Sequence, residues 1–142
     1  MRILRVVSVT TLVVASLAFP AVATAAPSVS VAPSAQLSPE GASAALSVTV
    51  TCDAGAQSSV FVTLAQSSGK HLVQASGSSG VPPSGTLLLC DGTPQLVTIR
   101  AALPPGATRP FKAGNAEVTA TVNQFNPFLT ASTGPQEVRL RK

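Results

Sequence analysis

From residue 28 onward, apolar residues recur at every second position almost throughout, and no segment sustains the 3.6-residue period of a helix. A strand turns successive side chains to opposite faces, so such a chain is committed to sheets with one apolar face each. The pattern is clearest over 43–52. Ala44, Leu46, Val48, Val50 and Cys52 share one face there, and Ser43, Ala45, Ser47, Thr49 and Thr51 share the other. Residues 115–123 repeat it, with Ala116, Val118, Ala120 and Val122 inward and Glu117, Thr119 and Thr121 outward. So do residues 136–141, where Val138 and Leu140 oppose Glu137, Arg139 and Arg141. Shorter strands are predicted over 28–32, 59–66, 71–75, 86–90 and 95–101.

Turn signals separate these segments: Pro33, Pro39-Glu40-Gly41, Ser67-Ser68-Gly69, Val81 to Gly85, Asp91-Gly92, Leu103 to Gly106 and Asn126-Pro127. The prolines fall between strands, where no ladder donor is lost. About seven or eight short strands at this spacing predict an all-β, antiparallel β-sandwich.

The N-terminus has the three parts of an export signal. Arg2 and Arg5 precede an apolar stretch from Val6 to Phe19, and Ala23-Thr24-Ala25 is a small-x-small cleavage site. Cleavage is expected after Ala25, leaving residues 26–142 as one domain. The stretch is too short and too interrupted to span a bilayer, which takes about 20 apolar residues. The mature chain, with no lipid-attachment cysteine after the signal and no apolar C-terminal tail, is expected to be secreted without a membrane anchor. Nine cations less Arg2 and Arg5, set against five acids, leave it a net charge of only +2. Those cations are scattered except at the C-terminus, where alternation places Arg139 and Arg141 on a solvated face. Nucleic-acid binding would call for a basic stripe with interleaved aromatics and is rejected.

An even pair of cysteines in an exported chain predicts a disulfide. In an immunoglobulin-like sandwich, 43–52 and 86–90 both flank 95–101 in one sheet, and Cys52 and Cys90 end at the same edge of it. The expected Cys52–Cys90 bond therefore lies within a sheet near its end, and in the chain-entropy model closing its loop should stabilise the fold by about 3–4 kcal/mol. The Val-Thr-Val-Thr-Cys strand, the Cys90-Asp91-Gly92-Thr93 turn and the Phe111 to Ala116 strand entry resemble small, largely uncharacterised secreted actinobacterial proteins of immunoglobulin-like type. The resemblance implies a fold and an address, not an activity.

Little chemistry is available. One His, two Asp, three Glu and no Tyr follow the signal, and no Gly-x-Ser-x-Gly elbow is present. His71 follows a hairpin turn, and the acids sit in turns or alternate outward, so paired carboxylates are not expected to converge. A lone His and two paired cysteines make no zinc set, and the acids are too dispersed for a calcium loop. No enzyme activity, cofactor or metal is expected. Trp and Tyr are absent, which also argues against sugar binding on aromatic platforms.

The remaining lead is four phenylalanines. Phe61 lies opposite the apolar face of its strand, so that strand is covered on both sides or the ring is exposed. Phe125 and Phe128 flank Asn126-Pro127 in the loop before the last strand, and Phe111 sits between Arg109 and Lys112. Aromatics in loops more often plug a sandwich end than bind, yet Phe125, Asn126, Phe128 and Phe111 are the candidate binding loop region.

The leading expectation is a non-catalytic binding or structural module whose partner is an unknown extracellular protein or small molecule. A second is a carrier of a small apolar ligand. It is similar to secreted actinobacterial enediyne apoproteins, which have two disulfides where this chain can form one. A third is an inhibitor of secreted proteases that presents Gly80 to Gly85 or Leu103 to Gly106. It is similar to subtilisin inhibitors, whose loop-pinning disulfide has no counterpart here. The intact mass of the exported protein tests the address: it should match residues 26–142 and rise by two hydrogens on reduction.

Overall fold

The segments with the longest alternation make the longest ladders. In the computed structural model, which describes residues 25–79 and 87–142, every regular element is a strand. These are β1 (Ser28–Val31), β2 (Ser34–Leu37), β3 (Ser43–Thr51), β4 (Gln57–Ser68), β5 (His71–Ser79), β6 (Leu88–Leu89), β7 (Gln95–Ala102), β8 (Gly114–Phe125), β9 (Leu129–Ser132) and β10 (Gln136–Arg141). The export segment before Ala25 and the Gly80 to Gly85 loop lie outside the described residues.

Pairing runs β4-β5-β7-β3-β2-β10-β8 and returns from β8 to β4, so seven strands close into a ring. This corrects the expectation of two separate sheets. Closure rests on short joints. β5 meets β7 through the single pair Ser76↔Ala102, and β2 meets β3 through two pairs, whereas β3–β7 and β4–β5 run for eight and nine. The ring is thus two well-laddered arcs stitched at their margins. β2 makes one stitch by running parallel to β10, its Ser34 opposite Arg139. Pro33 frees the chain from β3 for that crossing, since it brings no N–H to the ladder, and its carbonyl accepts from Arg139 N at 2.9 Å.

Gly77 makes the other stitch. A Cβ on it would run into the backbone carbonyl of Arg100 in β7, so only glycine permits this approach of the two arcs. The ring interior is filled, not hollow. Leu46, Val48 and Val50 of β3 meet Val60, Val62 and Leu64 of β4, Ile99 of β7, and Val118, Ala120 and Val122 of β8, all of them fully buried.

The sequence reading misses two strands and misplaces a third. β2 and β9 have four residues each and take their conformation from neighbours already in place. β9 and β10 lie end to end on one edge of β8, with Thr133 to Pro135 between them. Side chains bridge the break: Ser132 Oγ donates to Ala120 O, and Thr133 Oγ accepts from Ala120 N, both at 3.2 Å. Of the predicted strand 86–90, Thr86 lies outside the described residues and Leu88–Leu89 form β6, which pairs with β4 at Gln57 and Ser58, not with β7.

The Cys52–Cys90 bond is formed, with its Cα atoms 5.6 Å apart and both residues buried. Because β6 belongs to β4, the bond ties the end of β3 to the β4 arc and does not join neighbours within one sheet. Such a bond is compatible with an extracellular protein. No helix among the described residues is long and apolar enough to cross a membrane.

One convergence also departs from expectation. Glu117 and Glu137 are direct register partners across β8 and β10, both exposed, with Asn115 Nδ2 donating to Glu137 at 3.1 Å. Like charges directly opposite one another weaken a ladder by a fraction of a kcal/mol. Two mutations test these features by thermal unfolding. Gly77→Ala should lose about 1–3 kcal/mol by overpacking, and Glu117→Gln should gain roughly 0.2–1 kcal/mol.

Candidate functional site

The inward row of β8 ends in a polar side chain. Gln124 continues the series Val118, Ala120, Val122 and is fully buried. It is satisfied by the turn after β3: its Oε1 accepts from Asp53 N at 3.0 Å, and its Nε2 donates to Asp53 Oδ2 at 2.9 Å. Beside it, the Ser58 hydroxyl lies 3.7 and 3.6 Å from the sulfurs of Cys52 and Cys90. Only the serine of the three carries a proton to donate. The backbone completes the closure, with Cys90 N donating to Ala56 O and Gly55 N to Cys90 O, both at 2.8 Å.

Just past the disulfide, Asp91 Oδ1 accepts from Thr93 Oγ1 at 2.7 Å and from Thr93 N at 2.8 Å. These bonds, that from the Thr93 hydroxyl first, hold the exposed Asp91 carboxyl below its ordinary range.

An apolar tip stands on this fixed end. Leu89, Gln57 and Phe125 occupy one row across β6, β4 and β8 and so share the outer face. The hairpin from β8 to β9 then turns through Asn126, a residue that tolerates the left-handed φ of 59° found there. The turn folds Phe128 back onto Phe125, with ring centroids 5.9 Å apart and planes inclined by 52°. Phe125 is half-buried, whereas Phe128 is 68% exposed and Leu89 64%. The inclined rings support each other, which holds an otherwise solvated aromatic in one orientation.

The structure therefore brings Phe125, Asn126 and Phe128 together at a hairpin tip; β9 replaces the long loop expected there. Phe111 is elsewhere. It is buried at the opposite end, where its N donates to Gly41 O at 2.9 Å and the positive φ of Gly41 lets the two segments touch. A second buried glutamine holds that end. Gln66 Nε2 donates to the carbonyls of Lys112 at 2.8 Å and Asn115 at 3.2 Å, and its Oε1 accepts from Lys112 N at 2.9 Å. Phe61 is 41% exposed in mid-strand, between Ser78 and Thr121.

Sequence reading misses both glutamines as structural residues and Leu89 as part of the apolar tip. The glutamines carry a signal, since each stands at an inward position of an alternating strand. Leu89 carries none, because its exposure follows from which strand β6 joins.

Among the described residues no three His, Cys, Asp or Glu side chains come together as a metal-holding group. His71 is exposed and shares a depression with Leu103, Pro104 and Arg109. Pro104 O accepts from Ala107 N at 3.1 Å, so the candidate loop Leu103 to Gly106 leads into a closed turn, not an extended segment.

No family model matches the chain, and no curated protein matches it. A solved structure, the sporulation control protein Spo0M from Bacillus subtilis, aligns over 83% of the chain at 13% identity with a TM-score of 0.36. The chain spans about half the length of that protein.

Two measurements check this end. Gln124→Leu leaves Asp53 N without its partner and should cost about 1–3 kcal/mol, read by denaturant unfolding. An NMR titration should place the Asp91 midpoint below that of an ordinary carboxylate, and Thr93→Ala should raise it. With its folded pKa depressed, Asp91 supports the fold above its unfolded value, and that support fades as pH falls through the folded value.

Proposed function

We propose that this protein is a secreted, non-catalytic binding module of immunoglobulin-like type that contacts an extracellular partner through the tip formed by Phe125, Phe128 and Leu89. The observation that carries the reading is the 68% exposure of Phe128 on a half-buried Phe125, above a disulfide-closed end. A large apolar ring held in water is a standing cost to a monomer and an anchor for a partner. Because the tip is already ordered, binding loses little conformational entropy.

The immunoglobulin-like reading is supported by the two laddered arcs and by a first strand split at Pro33. Its β1 half pairs antiparallel with β3, and its β2 half parallel with β10. Secretion is supported by the tripartite N-terminal segment and the disulfide. The single exposed His and the open, solvent-facing position of the Glu117–Glu137 pair support a non-catalytic role.

Immobilised exported protein should retain a component of its host's culture fluid, and Phe128→Ser should lose it. The change is on the surface and should alter stability by less than about 0.5 kcal/mol. Retention of the same component by Phe128→Ser, or of nothing by the wild type, overturns the reading.

A further inference from the structure

The register of β10, β2, β3 and β7 sets Arg141, Gln36, Ala45 and Arg100 in one row across the outer face. Adjacent strands lie about 4.8 Å apart, so three strand spacings, about 14 Å, separate the two arginine backbones. Between Gln36 and Arg100, Ala45 offers only a methyl group, and the row dips there. The depression so formed has a volume of about 510 Å³, within the range of small-molecule sites. Its surface is mostly apolar, from Pro39 and Ala45. Arg100 and Lys142 border it, Gln36 and Ser38 add polar groups at the rim, and no acidic residue lines it.

We propose that this depression binds a small amphipathic organic acid, its carboxylate on Arg100 and its apolar body over Ala45 and Pro39. The two halves of the lining select the two halves of the ligand. A planar guanidinium presents a donor fork that matches a carboxylate with two parallel hydrogen bonds. The apolar floor rewards removal of hydrocarbon from water. The site lies on a different face from the Phe128 tip and does not depend on it.

The test titrates phenylbutyrate, and separately the uncharged phenylbutyramide, into isotope-labelled exported protein and follows backbone amide shifts by NMR. Phenylbutyrate should give saturable shifts at Ser43, Ala45 and Arg100. The amide should bind at least about tenfold more weakly, the factor supplied by one charge-assisted hydrogen bond. Arg100→Gln, at an exposed position, should weaken phenylbutyrate by a similar factor with the spectrum otherwise unchanged. Ala45→Leu should abolish binding by filling the dip, and Phe128→Ser should leave it intact.

Equal binding of acid and amide would reduce the site to an apolar groove and overturn the proposal. So would unchanged affinity in Arg100→Gln, or no saturable shift up to about 10 mM. Shifts of the same amides with protein concentration alone would make the face a contact between copies of this chain, and would also overturn it.

Discussion

The nine-pair antiparallel ladder between β4 and β8, from Gln57↔Phe125 to Ala65↔Glu117, is the constraint on which the other elements depend. It brings Val60, Val62 and Leu64 against Val118, Ala120 and Val122 without any contribution from the weaker joints. β5 and β6 take one margin of this pair, and β9 and β10 take the other. Short strands therefore need no strong propensity of their own. β6 and β9 are strands because a laddered edge waits for them. Period-2 alternation also fixes which face each residue takes, since a one-residue slip along this ladder would turn every valine outward.

The two ends of the barrel are closed by the same device. Alternation continued to the tips of β4 and β8 would bury one more apolar residue at each, but Gln66 and Gln124 stand there. A buried amide is tolerated only when its donors and acceptor find partners, and both do: Lys112 and Asn115 for one, Asp53 for the other. Each glutamine thereby specifies where a distant loop must sit. An apolar residue would cap the core yet leave that loop free. At the Gln124 end the disulfide adds a covalent tie from β3 to the same place. The aromatic tip is consequently mounted on the most cross-linked part of the molecule.

The strands were legible because alternation is a local signal: 43–52, 115–123 and 136–141 are found within two residues of their predicted limits. The disulfide was legible from cysteine number, and an exposed ring was one of the two outcomes expected for Phe61. What could not be read is which strand lies beside which. Cys90 was expected beside β7 and is held by β4, so the bond crosses between arcs. Alternation alone makes Glu117 and Glu137 two separate outward acids, whereas the ladder makes them register partners. Arg100 was one of several scattered cations until β2 and β3 set it in line with Arg141. Each of these follows from non-local pairing, which leaves no periodic trace in a single sequence.

That same pairing sorts charge between faces. The outer surface of β4, β8 and β9 carries Thr63, Thr119, Thr121, Asn123, Thr130 and Ser132, and their polar groups are partly spent on one another, as in Thr130 Oγ1 to Asn123 Oδ1 at 2.9 Å. Arg100, Arg139 and Arg141 gather on the face of β10, β2, β3 and β7. A net charge so small would produce only a weak field if it were evenly spread. Placed on one face, these three guanidinium groups attract anions locally, whereas Phe125, Phe128 and Leu89 at the tip carry no charge. The two proposed sites therefore differ in physics, one offering rings to be desolvated and the other charge. They lie apart on the ring, the tip on β6, β4 and β8 and the depression on β2, β3 and β7, and the joint between these arcs is set by Gly77 and by the β2–β10 pair.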